Sequence, residues 1–245
     1  MKRVELIGVE GLPEVRPGDD LAGLIAAHAS FEPGDVVVVA QKVVSKAEGR
    51  LVGLAKVTAG KDALRIAPLL VARPDPRMVQ VALDESVRVL RSERVLITET
   101  RHGFVCANSG VDHSNVGGRD ALTLLPVDPD ASAARLRSVL RELTGVELAV
   151  IVSDTFGRPW RLGIVNVALG VAGLPALVDL RGTLDDDGKS LHATVLAVAD
   201  EIAAAAGHVM GKTGRTPAVI VRGLELRGGG SGRDLIRPPE EDLFR

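Results

Sequence analysis

The chain has 245 residues, of which 46% are hydrophobic and 25% charged, and its formal net charge is -2. A chain of this length can bury a sizeable core, as one large domain or as two smaller ones that share an interface. The small net charge, the lack of Tyr and the single Trp160 argue against nucleic-acid binding, which needs basic surfaces and aromatic stacking platforms.

The first residues predict an opening strand and no signal peptide, because only a short apolar run, residues 4–9, lies among charged side chains. No apolar run approaches the ~20 residues that a membrane-spanning helix requires. The lone Cys106 excludes an intrachain disulfide and fits a reducing compartment. We therefore expect a soluble, cytoplasmic protein without membrane partners.

Val- and Ile-rich runs of strand length recur along the chain, at residues 4–9, 36–40, 95–98, 148–152 and 218–221. Because these runs are continuously apolar, they suit a sheet that is covered on both faces. Ala- and Leu-rich stretches with helical spacing lie between them, at residues 21–28, 131–143 and 191–206. The pattern predicts a mixed α/β fold with at least two layers.

A basic, polar segment, residues 41–50, follows the second apolar run. Lys46 in this segment can act as a point charge against phosphate. The alternative is that Lys46 belongs to a solvated helix start, which is common for lysine. The turn at residues 11–15, after the first run, is rigid but has little functional content by itself.

A second polar segment, residues 108–118, combines amides, hydroxyls, glycines and the carboxylate of Asp112. It is too polar for a core, and loops of this kind often let the backbone approach a ligand closely. The alternative is a surface loop held by Asx-turns.

A third polar segment, residues 153–161, comes after a helix and a strand. Asp128 and Pro129 signal the start of that helix and Gly145 its end. The helix leads into the strand at residues 148–152, so the following segment lies where α/β proteins usually place ligands.

Asp154 and Thr155 place a carboxylate and a hydroxyl side by side in this third segment. Hard cations such as Mg²⁺ prefer oxygen ligands and are usually held by one or two carboxylates plus phosphate. The alternative is that Asp154 only caps a turn. If Asp154 and Asp112 converge, they supply the carboxylate pair of a metal-nucleotide site.

Other catalytic motifs are missing. Gly211 and Lys212 resemble the end of a phosphate-binding P-loop, but the pattern requires Gly where Ala206 stands, and the segment follows a helix. A looser contact with a nucleotide remains open. The histidines lack zinc-site spacing and no nucleophile elbow is present, so zinc and covalent serine chemistry are disfavoured, and Cys106 is interpreted as a small core residue.

Five motifs occur in an order that resembles the coenzyme F420:L-glutamate ligase family, over residues 6–243. They are Gly-Leu-Pro-Glu, Val-Val-Ser-Lys-Ala-Glu-Gly-Arg, Ser-Gly-Val-Asp-His-Ser-Asn, Ser-Asp-Thr-Phe-Gly-Arg-Pro-Trp-Arg and Ala-Asp-Glu-Ile-Ala-Ala-Ala-Ala. The resemblance implies the layered sheet-and-helix (α+β) fold of that family over residues 1–245, as a single domain or as two intertwined subdomains. We also expect a flexible Gly-rich loop at residues 228–233 and no C-terminal nitroreductase-like domain.

The resemblance further implies a homodimeric, GTP-dependent ligase that attaches L-glutamate to the deazaflavin precursor of coenzyme F420, and then adds glutamate through the γ-carboxylate. An acyl phosphate is the expected intermediate. Family members are similar in using Mg²⁺ or Mn²⁺ at two sites, with K⁺ as an additional cation in some of them. Guanine specificity is inherited from the resemblance alone, since no residue pattern here reads a base.

Site residues follow from the same resemblance. The positions that match nucleotide contacts are Leu12, Pro13, Glu14, Val15, Gln41, Lys46, Asn115, Gly211 and Lys212. Asp112 and Asp154 match the first metal site and Thr155 the second. The expected catalytic residues are Asp112, Asp154, Lys46 and Arg158, where Arg158, like Arg161, is assigned to grip an acidic substrate from charge and placement only.

Two other functions fit the same residues. A metal-dependent kinase or phosphatase of a small acidic metabolite needs the same phosphate and metal apparatus. A non-catalytic module that senses a nucleotide or a metal needs only the binding part.

Overall fold

A computed structural model describes residues 3–113, 120–211, 214–226 and 228–242. The α-helices in these ranges are α1 (Leu21–Ala27), α2 (Gln41–Ala47), α3 (Lys61–Ile66), α4 (Pro76–Asp84), α5 (Pro129–Thr144) and α6 (Val198–Met210). The strands are β1 (Glu5–Gly8), β2 (Val36–Ala40), β3 (Leu51–Gly53), β4 (Ser86–Arg91), β5 (Ile97–Thr100), β6 (Val105–Ala107), β7 (Ala121–Thr123), β8 (Ala149–Arg158), β9 (Arg161–Ala172), β10 (Val178–Asp179), β11 (Val195–Leu196) and β12 (Ala218–Arg222). The predicted mixed α/β fold is confirmed. None of the helices in the described ranges is long and apolar enough to cross a membrane.

The central sheet has the strand order β1-β12-β2-β8-β9, with β2 and β8 parallel and the other neighbours antiparallel. Successive side chains of a strand point to opposite faces. Accordingly, Val37 and Val39 of β2 pack with α1 and α5, whereas Val36 and Val38 pack with α6. Helices therefore cover both faces of the sheet, as the continuous apolar runs predicted.

Helix α5 begins and ends where its sequence signals predicted. The Asp128 carboxylate accepts a hydrogen bond from the backbone N–H of Ala131 at 3.0 Å and so satisfies a free donor of the first turn. Gly145 adopts the left-handed conformation at φ 70° that ends the helix. Leu136 and Leu140 lie on the side of α5 that is buried against the sheet.

The segment between α2 and α5 builds two smaller sheets, β3-β7 and β4-β5-β6. These pack with α3 and α4 around separate apolar clusters, one centred on Ile66 and Leu96 and the other on Leu54 and Leu122. Only one element of this segment, the strand at residues 95–98, was predicted from the sequence, and the structure places it at Ile97–Thr100.

Two sequence predictions require correction. The strand predicted at residues 148–152 continues to Arg158 and forms a long hairpin with β9, so residues 153–158 are part of a strand rather than a segment after it. The helix predicted at residues 191–206 begins only at Val198. Val195 and Leu196 instead pair with β10. A β-branched residue followed by an apolar one suits a short strand as well as a helix, so the local sequence pattern did not distinguish the two.

The Gly-rich segment 228–232 packs closely against the sheet. The backbone N–H of Gly232 donates to the Asp130 carboxylate at 2.6 Å, and the same oxygen accepts from the N–H of Val171 at 2.8 Å. A Cβ on Gly232 would lie 2.0 Å from the carbonyl oxygen of Leu169, so only glycine fits there. The glycine is thus required for close packing, while the flexibility of this segment stays a prediction.

Candidate functional site

A cavity of about 830 Å³ opens where β2 ends beside β8. Among the described residues, ten of the positions singled out in the sequence line it: Leu12, Pro13, Glu14, Val15, Gln41, Lys46, Asp112, Asp154, Thr155 and Gly211. These positions come from separate parts of the chain, and the fold brings them to one place. Asp112 and Asp154, whose convergence a metal-nucleotide site needs, line the same cavity.

Asp154 and Thr155 enter the cavity from β8 at the point where that strand leaves the core. The strand is buried up to Ser153 and becomes partly exposed from Asp154 onward. Both Asp154 and Thr155 line the cavity. Asp154 lies inside a strand, paired with Val167, and not at a turn, so the capping alternative does not describe its position.

Hydrogen bonds of its backbone hold Asp112 in place. Its N–H and carbonyl both bond to Thr123, at 3.0 and 2.8 Å. Just before it, Asn108 and Ser109 adopt positive φ values of 53° and 55°, and the buried Ser109 hydroxyl donates to the carbonyl of Ala82 at 2.6 Å. This tight turn, held by hydrogen bonds, fixes the backbone position from which the Asp112 side chain extends.

Lys42 and Lys46 reach the cavity from α2, which begins directly after β2. The Lys42 ammonium lies 2.6 Å from a carboxylate oxygen of Asp112. The Lys46 ammonium lies 2.5 Å from the Glu14 carboxylate, and the Lys46 side chain is buried. The alternative of a solvated helix start is therefore wrong for Lys46.

The charges that line the cavity are mixed. Within the described ranges they comprise the cations Lys42, Lys46 and Arg215 and the carboxylates of Glu14, Asp112 and Asp154. Ammonium and guanidinium groups suit phosphate oxygens, whereas carboxylates suit a metal cation. A nucleotide bound together with a divalent cation uses both kinds of group.

The donor set fits Mg²⁺ or Mn²⁺ better than zinc. No cluster of three or more His, Cys, Asp or Glu side chains suited to a metal occurs in the parts of the chain that the structure describes. Asp112 and Asp154 supply two carboxylates and Thr155 a hydroxyl, all of them oxygen donors. Mg²⁺ typically takes one or two protein carboxylates and completes its shell with substrate phosphate and water.

Several predicted residues lie outside this arrangement. Asn115 and Lys212 fall outside the described residues. Arg158 and Arg161 are exposed at the far end of the β8–β9 hairpin, where the Arg158 guanidinium donates to the carbonyl of Leu162 at 3.0 Å. Neither arginine is among the described residues that line the cavity, so their proposed contact with an acidic substrate stays a prediction.

Lys42, Ser153 and Asn166 are among the cavity residues that were not assigned a role from the sequence. Lys42 directly follows Gln41 at the end of β2, and this position next to a predicted nucleotide contact was the sequence signal that could have identified Lys42. Ser153 is buried, and its hydroxyl has no hydrogen-bond partner among the described residues. Asn166 faces Thr155 across the hairpin, a pairing that only the register of β8 and β9 reveals.

Cys106 lies close enough to the site for Asp154 to influence it. Burial, and to a lesser degree the negative charge of Asp154, raise the pKa of the Cys106 thiol to about 12. The thiol is therefore protonated at neutral pH, and its burial confirms the interpretation as a core residue.

We expect Cys106 of the folded protein to react slowly with iodoacetamide at pH 8, because the thiolate is the reactive form and the sulfur is buried. Unfolding in urea should restore an ordinary rate. Alkylation followed by mass spectrometry measures both rates, and equal rates in the folded and unfolded protein would contradict the prediction.

Comparison with known proteins points to one family. The family model described as F420-0:Gamma-glutamyl ligase matches residues 11–223. A relative from Methanothermobacter thermautotrophicus, named coenzyme F420:L-glutamate ligase, is 48% identical over 99% of this chain and 99% of its own. Relatives of the same name from Methanocaldococcus jannaschii (44% identical, 100% of this chain and 98% of the relative) and Haloarcula marismortui (47%, 99% and 96%) match at similar length.

Proposed function

The chain belongs to the F420-0:Gamma-glutamyl ligase family, and from this premise we propose that it joins L-glutamate to the deazaflavin precursor of coenzyme F420 at the expense of GTP. The first glutamate forms an amide bond, and a further one is added through the γ-carboxylate. Relatives named for this ligase activity, similar over nearly the full length of both chains, support the assignment.

One observation supports the nucleotide chemistry most strongly: Asp112 and Asp154 line a single cavity together with Lys42 and Lys46. We assign Asp112 and Asp154 to a first divalent cation and Thr155 to a second. Mg²⁺ or Mn²⁺ held there would offset the phosphate charge and polarise the γ-phosphoryl group. A supporting K⁺ stays an expectation from the family resemblance.

The proposed reaction has two steps. A carboxylate oxygen of the precursor attacks the γ-phosphorus of GTP, the bond to the β-phosphate oxygen breaks, and GDP leaves an acyl phosphate behind. The amine of glutamate then attacks the carbonyl carbon, loses a proton to solvent and expels inorganic phosphate, which keeps the carboxylate oxygen. Lys42 and Lys46, which line the cavity, are assigned to offset the charge that spreads over the transferring phosphoryl group.

Oxygen labelling tests this chemistry. When the precursor carboxylate is labelled with ¹⁸O, the acyl-phosphate route transfers one labelled oxygen to the released phosphate. Mass spectrometry of the phosphate and of the deazaflavin product follows the label and the added glutamate together. Product with unlabelled phosphate would contradict the acyl phosphate while leaving the ligase activity intact.

The same assay separates the two alternative functions. A kinase or phosphatase would release or transfer phosphate without any need for glutamate, whereas the ligase requires glutamate for net phosphate release. A sensing module would bind GTP stoichiometrically and show no turnover with any acceptor.

We expect Lys46→Met to raise the KM for GTP by about tenfold or more, since a hydrogen bond to a charged group is worth about 1.5–3 kcal/mol. Stability should change little, because the partner Glu14 is 66% exposed and is rehydrated when the ammonium is removed. The matched control is Lys56→Met, an exposed lysine away from the cavity. Steady-state kinetics with varied GTP measure the effect, and an unchanged KM for both variants would remove Lys46 from the nucleotide site.

We also propose a homodimer, as the family resemblance implies. The far end of the β8–β9 hairpin exposes the apolar residues Trp160, Leu162 and Ile164 to 82%, 99% and 61%. Clustered apolar exposure of this kind is typical of protein interfaces.

Leu162→Asp should convert the dimer to monomers, because a carboxylate in a closed apolar interface is strongly unfavourable. The control Leu184→Asp changes another leucine that is 69% exposed, outside this hairpin. Analytical ultracentrifugation gives the oligomeric state, and a monomeric unmodified protein would overturn the proposal.

A further inference from the structure

Asn166 lies on β9 directly opposite Thr155 on β8, and both half-buried side chains line the cavity. The Thr155 hydroxyl donates a hydrogen bond to the Asn166 side-chain oxygen, with 3.1 Å between the two oxygens. Thr155 is the residue that we assign to the second metal. Its hydroxyl proton therefore already has an acceptor within the protein.

The orientation of the Asn166 amide is set by its second neighbour. The amide nitrogen lies 3.5 Å from the sulfur of Met210. A thioether sulfur can accept a weak hydrogen bond but has no proton to donate. The NH₂ group therefore belongs on the Met210 side, which leaves the amide oxygen facing the Thr155 hydroxyl.

Helix α6 also restricts the position of this amide. A Cβ on Gly207 would lie 3.2 Å from Cγ and 3.3 Å from Nδ2 of Asn166, tighter than ordinary van der Waals contact. Because Gly207 has no side chain, α6 can pack directly against the amide of Asn166. The Asn166 side chain is thus held between Gly207, Met210 and Thr155.

We propose that Asn166 is a positioning residue that turns the Thr155 hydroxyl proton away from the metal and so orients the lone pairs of the hydroxyl oxygen toward it. A hydroxyl has one proton and two lone pairs, and a cation repels the proton and attracts the lone pairs. Partners that orient a metal ligand in this way tune metal affinity. The inference rests on the proposed function, specifically on Thr155 as a metal ligand.

Manganese binding tests the inference without relying on activity. Electron paramagnetic resonance titration of Mn²⁺ in the presence of GDP gives the affinity of each manganese site in each variant, and the site that Thr155→Val weakens is the Thr155 site. Asn166→Leu, which removes the acceptor at similar size, should weaken that site by about tenfold. Asn166→Asp keeps an acceptor oxygen and adds a negative charge near the cation, so the affinity should be retained or raised. Thr155→Val should weaken binding at least as much as Asn166→Leu.

The double variant distinguishes positioning from a merely structural role. If Asn166 acts only through the Thr155 hydroxyl, adding Asn166→Leu to Thr155→Val causes no further loss of Mn²⁺ affinity. A further tenfold loss in the double variant, or an unchanged affinity in Asn166→Leu alone, overturns the inference. If Asn166→Leu fails to fold, as judged by thermal melting, Asn166→Ala removes the same acceptor and carries the same expectation.

The outcomes also separate this inference from the proposed function. When Thr155→Val weakens Mn²⁺ binding and Asn166→Leu does not, Asn166 has no positioning role and the metal assignment of Thr155 stands. When Thr155→Val leaves Mn²⁺ binding unchanged, the second metal site is wrong, and the positioning role of Asn166 is wrong with it.

Discussion

Asp154→Asn is expected to abolish GTP-dependent glutamate addition while leaving the fold nearly intact. The substitution keeps the size and one acceptor oxygen of the side chain but removes the negative charge that a divalent cation requires. Loss of a residue that only supports a metal ligand typically costs about 10–100-fold, so loss of a ligand itself should cost at least about a hundredfold. Fold stability should hold because Asp154 is partly exposed at the cavity wall.

The matched control for this variant is Asp62→Asn. Asp62 is an exposed aspartate on α3 whose ion pair with Arg65 lies on the surface, away from the cavity. It should retain full activity, which shows that the loss in Asp154→Asn is not a general effect of removing a carboxylate. Product formation measured by mass spectrometry, with circular dichroism for the fold, decides the case. Full activity of Asp154→Asn at ordinary metal concentration would remove this residue from the site.

Gly170→Ala is expected to destabilise the protein by about 3 kcal/mol, or to prevent folding, because overpacking a closely packed contact costs about that much. A Cβ at this buried position of β9 would lie 2.0 Å from the carbonyl oxygen of Pro129 and 2.2 Å from its carbonyl carbon. Both atoms belong to the backbone at the start of α5, so relief requires the helix to move away from the sheet. Urea denaturation measures the loss in free energy of unfolding.

Gly157→Ala provides the control on the same hairpin. Gly157 lies on β8, and a Cβ there would have no atom within 4 Å. Its substitution should change stability by only a small amount, and can be slightly stabilising because it reduces the freedom of the unfolded chain. Equal stability of the two variants would show that α5 does not pack against Gly170 as described.

The elements that the sequence predicted well are those whose local signals agree with their packing. The run at residues 36–40 is buried on both sides of the sheet and forms β2 with the expected bounds. Helix α5 has a capping aspartate before it and a glycine after it, and both were visible in the sequence. In both cases the information lies within the element itself.

The elements that the sequence predicted poorly depend on partners far along the chain. The outer half of β8 is polar and partly exposed, so nothing local distinguishes it from a loop; its strand conformation comes from pairing with β9. The short strand β11 forms by pairing with β10. The helical spacing of the alanines nearby led to the prediction of a longer helix that included β11.

The candidate site shows the same division. The kinds of side chain that a phosphate and metal site needs were visible as three polar segments, and the family resemblance assigned them roles. Pairings across the cavity, such as Lys42 with Asp112 or Thr155 with Asn166, depend on the sheet register and on the turn before Asp112. No local pattern contains these pairings, which is why Asn166 had no assigned role, whereas Lys42 had only its position after Gln41 as a signal.

The location of manganese in crystals grown with Mn²⁺ and GDP tests most directly whether Asp112 and Asp154 bind a divalent cation beside the nucleotide. Anomalous scattering should show a peak in this cavity within about 2.0–2.2 Å of carboxylate oxygens from both Asp112 and Asp154, distances typical of small divalent cations. The diphosphate should lie beside the Lys46 ammonium. A nucleotide bound outside this cavity, or manganese that contacts neither carboxylate, would contradict the proposed binding of GTP and metal by these residues.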